Sequence, residues 1–245
     1  MDIDLHCHAK LSKKSKFSIK HFTSLQQTAI RNGLQAIALT EHFNTWGFEE
    51  VYEALECRYT YRDDYYDVDG LMVFCGMEVD VREGGHILVI GKRDDVLNLQ
   101  KTLLPFMTKD KYPPMDYLLE EAEKREMLKI GAHPYRDDHS LGRLDVNLLK
   151  RLDFLELNGK DFKKGDSVIK LADSVDLSVV AGSDTHHWLQ VGCVKNRLAE
   201  YCYTVSQLKR CLKEGRYYTV ISPWIGLRLT SAGIVKKMLK KIHSA

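Results

Sequence analysis

Short apolar runs, each closed by a polar cluster and followed by a longer stretch with helical features, recur from the first residue to about residue 184. That alternation predicts βα units, and with them an α/β fold. The candidate strands are Ile3 to Cys7, Ala36 to Thr40, Leu71 to Gly76, Ile87 to Ile90, Leu128 to Ala132, Phe154 to Leu157 and Ser178 to Ala181. Several are apolar at successive positions, as strands covered on both faces must be; Ile87-Leu88-Val89-Ile90 is one. Between the first two strands, Ser18 is placed to cap a helix whose inner face carries Phe22, Leu25 and Ala29, and Gly33 is placed to end it. Further helices are expected around Met115 to Met127, Lys164 to Ser174 and Val205 to Lys213.

At 245 residues with 44% hydrophobic content, the chain buries a full core as one α/β barrel or as two small domains. Without an internal repeat, a low-complexity tract or a Gly/Ser linker, one domain over residues 1–245 is the simpler reading, with a barrel to about 190 and a helical and strand extension from about 191. The 36 basic and 34 acidic residues nearly cancel, so no global field marks a nucleic-acid or membrane binder, and any phosphate preference must be local. Six scattered cysteines without a CxxC pair suggest reduced thiols. No secretory signal is seen at the start, and no apolar stretch approaches the roughly 20 residues that span a bilayer. A cytoplasmic protein is expected.

Histidines fall where chemistry is done. His6 and His8, His42, His133, and Asp184 with His186 each stand at or just past the end of an expected strand, and in a closed α/β barrel those ends converge on one face. Positions i and i+2 of a strand share a side, so His6 and His8 can face the interior together while Cys7 turns away. Glu78 ends another strand, and its carboxylate can bridge two ions, which a neutral imidazole cannot. His86 follows Gly84-Gly85 at the start of a strand. Mixed nitrogen and oxygen ligands of this kind suit zinc, manganese or iron.

In this order, His6-Cys7-His8, Thr40-Glu41-His42, Gly76-Met77-Glu78, His86, Ala132-His133-Pro134 and Gly182-Ser183-Asp184-x-His186 resemble the motifs of the PHP (polymerase and histidinol phosphatase) family. The resemblance spans roughly residues 1 to 190. It implies a distorted seven-stranded (β/α) barrel of the TIM type with a trinuclear metal centre. Carried over by position, His6, His8, Glu78 and Asp184 would hold a first ion, Glu78, His86 and His133 a second, and His42 and His186 a third. Many relatives carry a His or Asp a few residues after the HxH, where this chain reads Lys13-Lys14-Ser15-Lys16, so two or three divalent ions are expected.

A hydroxide held between two such ions is nucleophilic near neutral pH, and the ions stabilise charge on the attacking and leaving oxygens of a phosphate ester. Asp184 and His186 are the catalytic candidates, His186 as a ligand or as a proton donor to the leaving alkoxide. Arg136 is a candidate for the substrate phosphate because a guanidinium fork matches phosphate oxygens. Lys14 is a second, in place of the missing ligand; Lys160, Arg143 and Asn158 are further candidates at the same face. The resemblance implies hydrolysis of a small phosphomonoester, with histidinol phosphate, nucleotides and phosphotyrosine peptides all admitted, and no nucleic-acid partner beyond nucleotide size. An amidohydrolase-type metal hydrolase and a catalytically silent metal-binding module are the alternatives.

His21, His139, His187 and His243 read as structural. The aromatic stretch from Phe43 to Asp69 reads as an extra helix packed on the barrel rather than a lid. The tail from Ile234 to Ile242 sets Ile234, Val235, Met238, Leu239 and Ile242 on one side, as a docked terminal helix would.

Overall fold

The computed structural model describes residues 1–136 and 141–242, with side chains as far as residue 235; His139, His243 and the side chains of Met238, Leu239 and Ile242 lie outside the described residues. Strand β1 (Asp2–Cys7) leads into helix α1 (Ile19–Arg31) and β2 (Ala36–His42). Ser18 caps α1 by accepting the His21 N–H, and Gly33, at φ +75°, turns the chain out of it. The aromatic stretch holds α2 (Phe48–Glu56) and a hairpin of β3 (Thr60–Arg62) and β4 (Tyr65–Val68), which pairs with β5 (Leu71–Asp80). Then come β6 (His86–Gly91), α3 (Arg93–Thr102), α4 (Met115–Glu123), β7 (Leu128–Ala132), α5 (Val146–Leu149), β8 (Phe154–Asn158), α6 (Gly165–Ser174), β9 (Ser178–Gly182), β10 (Val194–Leu198), α7 (Val205–Lys213), β11 (Tyr217–Ile221) and α8 (Ile225–Ile242).

The seven strands expected from the sequence are present, but the barrel is not seven-stranded. Among the described residues one sheet of eleven strands runs β11-β10-β1-β2-β5-β6-β7-β8-β9, with β3 and β4 appended at β5. It curls into a nearly closed barrel. At its upper rim the chain after β9 meets β1 again, where His8 N–H donates to the Thr185 carbonyl and Thr185 N–H to that of His6. Lower down β10 fills the seam: it pairs with β1, and the Asn196 amide bonds both backbone groups of Ala181 on β9. Residues 194–221 thus continue the barrel sheet, past the boundary expected near 190.

Among the seven expected strands, strict βα alternation fails at β6. β6 is antiparallel to both β5 and β7, because the chain turns back through Gly84 and Gly85, both at positive φ, instead of crossing over through a helix. The reversal puts the start of β6 at the rim where the other strands end.

Side chains of one parity line the interior. In the lower half these are Ile3, Leu5, Ala36, Ala38, Phe74, Leu88, Ile90, Leu128, Ile130, Phe154 and Val180, all buried in one cluster. Helix α7 closes the bottom with Val205, Leu208, Cys211 and Leu212 of the same cluster. The opposite parity, including Ile37, Leu39, Met77, Val79, Ile87 and Val89, packs outward against α1 to α4 and α6 in a second, larger core. No helix is long and apolar enough to cross a membrane among the residues searched, and the cysteines are free thiols.

Candidate metal centre

Above the apolar half, the interior parity changes character on every strand. β2 continues from Ala36 and Ala38 to His42, β5 from Phe74 to Glu78 and Asp80, and β8 from Phe154 to Glu156 and Asn158, while β6 begins with His86. β1 needs a correction of phase, because Leu5 and His6 cannot both face inward from a regular strand. A register irregularity between Asp4 and Cys7 supplies it. Bulges of this kind re-aim side chains beside active sites. Past it His6 and His8 face the cluster and Cys7 joins the outer core, as the i, i+2 argument expected.

Three triplets of donor atoms assemble here, each within 4.8 Å of one another: His6, His8 and Asp184; Glu78, His86 and His133; and His8, His42 and His186. All eight histidines and acids singled out in the sequence therefore meet in one place. In the first group His6 Nε2 is 3.2 Å from His8 Nε2 and 3.9 Å from Asp184 Oδ1, His8 Nε2 is 3.4 Å from both Asp184 Oδ1 and Glu78 Oε2, and His6 Nε2 is 3.6 Å from Glu78 Oε2. Bonds of about 2.0–2.2 Å to a tetrahedral zinc-like ion put ligand atoms roughly 3.3–3.6 Å apart, so the spacing fits. In the second, Glu78 Oε1 lies 2.6 Å from His86 Nδ1 and 3.1 Å from His133 Nε2. Glu78 thus presents one oxygen to each group. In the third, the ring centroids of His8, His42 and His186 are 4.1 to 5.7 Å apart.

Among the described residues, His8 Nδ1, His42 Nδ1 and Glu78 Oε2 are buried without a hydrogen bond, although the last two approach to 2.9 Å. Polar atoms left so inside a protein are costly unless something else satisfies them. Divalent cations shared by these donors would do so, and the residues present fit them.

The electrostatics agree. Burial works against the Glu78 charge, and His42, His86 and His6 outweigh it, holding the carboxyl well below its usual range. Burial likewise opposes the charge on Asp184, which Lys160, His186 and His8 keep ionised. Burial drives the His186 imidazole down to about 3 with help from His8, and it also lowers His42 and His133, so these three rings stand neutral, the ligating form. The other three rings go the opposite way against their burial: Glu156 and Glu78 raise His6 well above its usual value, Asp184 and Glu41 raise His8, and Glu78 and Asp80 push His86 up to about 10. The site is organised to hold positive charge, as protons or as metal ions. Two of its residues, His133 and Asp184, sit at φ +32° and +50°, conformations costly for residues with a Cβ and concentrated at functional sites.

A supporting ring of acids escaped the sequence reading. Glu156, buried on β8, accepts from His6 Nδ1 at 2.7 Å, from the His133 N–H at 2.9 Å and from the Asn158 amide at 3.0 Å. It fixes the His6 tautomer with Nε2 turned to the cluster, the usual way a carboxylate orients a ligating histidine. Its only signal was an acid inside the apolar run Phe154-Leu155-Glu156-Leu157. Gly182 makes room for this contact, since a Cβ there would collide with both Glu156 and His6. Asp4 accepts the N–H groups of His6, Ser183 and Gly192, and Glu41 those of Lys10 and His42, tying three ligand segments together. Asp80 adds a carboxylate 3.1 Å from His86 Nε2.

The cationic candidates divide. Arg136 forks onto Asp161 at 2.9 Å and Asn158 at 2.5 Å and also pairs with Asp184 Oδ2, which Lys160 reaches at 2.7 Å. Oδ2 is thereby engaged, and Oδ1 faces the histidines. Lys14 is exposed and has no side-chain partner among the described residues; it is Lys13 that reaches the site, 2.7 Å from Asp80. Lysines alternate along this loop, and spacing alone could not say which turns inward. Arg143 lies after β7, outside the triplets. His21 and His187 face one another at 6.1 Å outside the triplets, and His187 caps a turn.

Comparison with known proteins follows the geometry. In the crystal structure of PsfC from Pseudomonas syringae PB-5123 the fold superposes with a TM-score of 0.80 at 20% identity, over 97% of this chain and 98% of that one. The lesion-specific endonuclease EndoQ from Pyrococcus furiosus gives 0.69 at 20% identity, over 87% of this chain and 56% of that one. A two-domain protein from Bacteroides vulgatus ATCC 8482, described as containing a predicted PHP-like metal-dependent phosphoesterase, gives 0.60 at 17% over 90% and 64%. At such identities these likenesses establish the fold alone. No protein with a curated description matches the sequence. The family model described as PHP domain matches residues 4–242, from Asp4 of β1 to the last residue of α8. The chain belongs to the PHP domain family.

Proposed function

We propose that this protein is a metal-dependent phosphoesterase that hydrolyses a small phosphomonoester. The observation that carries the reading is Glu78, one oxygen turned to each of two adjacent donor groups and five imidazoles around it. Divalent ions in such a centre supply a nucleophilic water near neutral pH and neutralise charge developing on a phosphoryl group.

The protein's own residues do the rest. His6, His8, Glu78 and Asp184 would hold a first ion, Glu78, His86 and His133 a second, and His42 and His186, beside His8, a third. Glu156 and Asp4 hold the ligands rigidly, so little reorganisation is needed during reaction. Arg136 and Lys160, gathered on Asp184 Oδ2, stand ready to turn their donors to phosphoryl oxygens. His186, neutral down to about pH 3, has no proton to give at neutrality, which favours its role as a ligand over that of a general acid.

Protein loaded with manganese, zinc or iron(II) should release inorganic phosphate from members of a panel of small phosphomonoesters, and Asp184→Ala should abolish that release. A panel with no turnover under any metal would sink the reading, and turnover of lactones or amides instead would redirect it to an amidohydrolase.

A further inference from the structure

Beside the second donor group opens a cleft of about 380 Å³, lined by His86, His133 and Arg136 and by Arg82, Lys109 and Tyr112. A phosphoryl group alone does not fill it; clefts of about 300–1,000 Å³ take ligands of drug size. The charges on its walls are unequally committed. Arg136 is paired with Asp161 and Asp184, and Asp80, the acid of the lining, with His86 and Lys13. Arg82 only approaches Glu83, at 3.4 Å and 66% exposed, and such surface pairs contribute little. Lys109 has no ion-pair partner among the described residues. Two cations of the lining, Arg82 and Lys109, are therefore left for a ligand.

The backbone around them is preset. Arg82 N–H donates to the Pro113 carbonyl at 2.9 Å, and Met115 N–H to Glu83 at 2.9 Å, so the segment carrying Arg82 and the one leading from Lys109 are tied together. Asn44 braces the second at the Met107 carbonyl, and Tyr112 packs edge-on against Phe43. Tyr112, a ring in the same lining, suits a short apolar spacer.

We infer that the alcohol portion of the substrate carries a second anionic group, a phosphate or a carboxylate a few bonds from the scissile ester, which Arg82 and Lys109 hold. This rests on the phosphoesterase reading and adds the substrate class to it. The test is calorimetric binding of three non-hydrolysable analogues to manganese-loaded full-length protein: propylphosphonate, 3-phosphonopropionate and propane-1,3-diphosphonate. The two with a second anion should bind about 10- to 100-fold more tightly than propylphosphonate, as charge-assisted contacts allow, and the tighter of the two identifies the anion. In Arg82→Ala/Lys109→Ala the advantage should vanish. Equal affinities for all three in the wild type would overturn the inference, as would an advantage that survives in the double variant. Equal binding alongside ester turnover overturns this inference alone, whereas the absence of turnover with every ester sinks the reading beneath it.

Discussion

The lower and upper halves of the barrel interior share the same strands and the same side-chain parity, yet they are opposite kinds of core. Below, Phe74, Leu88, Ile130 and Phe154 interdigitate under α7, and burying them is what stabilises the fold. Above, Glu78, Asp184 and six histidines occupy the continuing positions, and burying them costs free energy that only mutual pairing or bound cations offset. Stability and chemistry are thus stacked along one axis rather than mixed. Changes in one half should leave the other largely intact.

The largest expected effect is Glu78→Gln, which removes the shared anion from five imidazoles while preserving shape. Turnover of the best ester at saturating metal should fall on the order of a thousand-fold or more, with the far-ultraviolet circular dichroism unchanged. Next is Phe74→Ala in the lower half, which should lower unfolding free energy by about 3–5 kcal/mol in urea titration while metal content per folded chain stays constant. A metal content that fell in proportion would break the separation. Glu156→Gln sharpens it from the upper side. Weakening the His6–Glu156 support should reduce metal affinity by about 10- to 100-fold, read by competition with a chelator, without the stability loss of Phe74→Ala.

The smallest effect belongs to neither half. Asp2, paired with Arg197 and Lys195 at the lower rim, has its carboxyl held down to about 2 by those cations against the cost of burial. Because its folded value is depressed, the contribution is full above the unfolded value near 4 and is lost as pH falls through 2. Asp2→Asn should therefore cost about 1–2 kcal/mol at neutral pH and progressively less on acidification, in urea titrations from pH 6 to pH 2.

How much was legible in the sequence follows the same division. The apolar strands and the ligands that end them could be read because imidazoles and carboxylates rarely close apolar runs without cause. Glu156 could not, because its reason is His6, 150 residues away in the chain. Nor could the direction of β6: Gly84-Gly85 marks a turn but not whether the chain comes back along its neighbour, and a crossover would have left His86 at the wrong end. Strands β3 and β4 hid in a stretch whose aromatic residues suit helix and strand alike. β10, with alternating burial and two charges, lacked the apolar run that marked the others. The choice of Lys13 over Lys14 depends on how the loop lies against Thr45 and Trp46, both bonded to the Lys13 carbonyl.

Counting the metal ions bound per chain tests the central claim most directly. Elemental analysis of protein purified without chelator and equilibrated with manganese should find three ions per wild-type chain, two flanking Glu78 and one at His42 and His186, and at least one fewer in Glu78→Gln. A wild-type protein that binds none, or a Glu78→Gln variant that binds as many as the wild type, would contradict the account of the upper half as a metal centre organised around that glutamate.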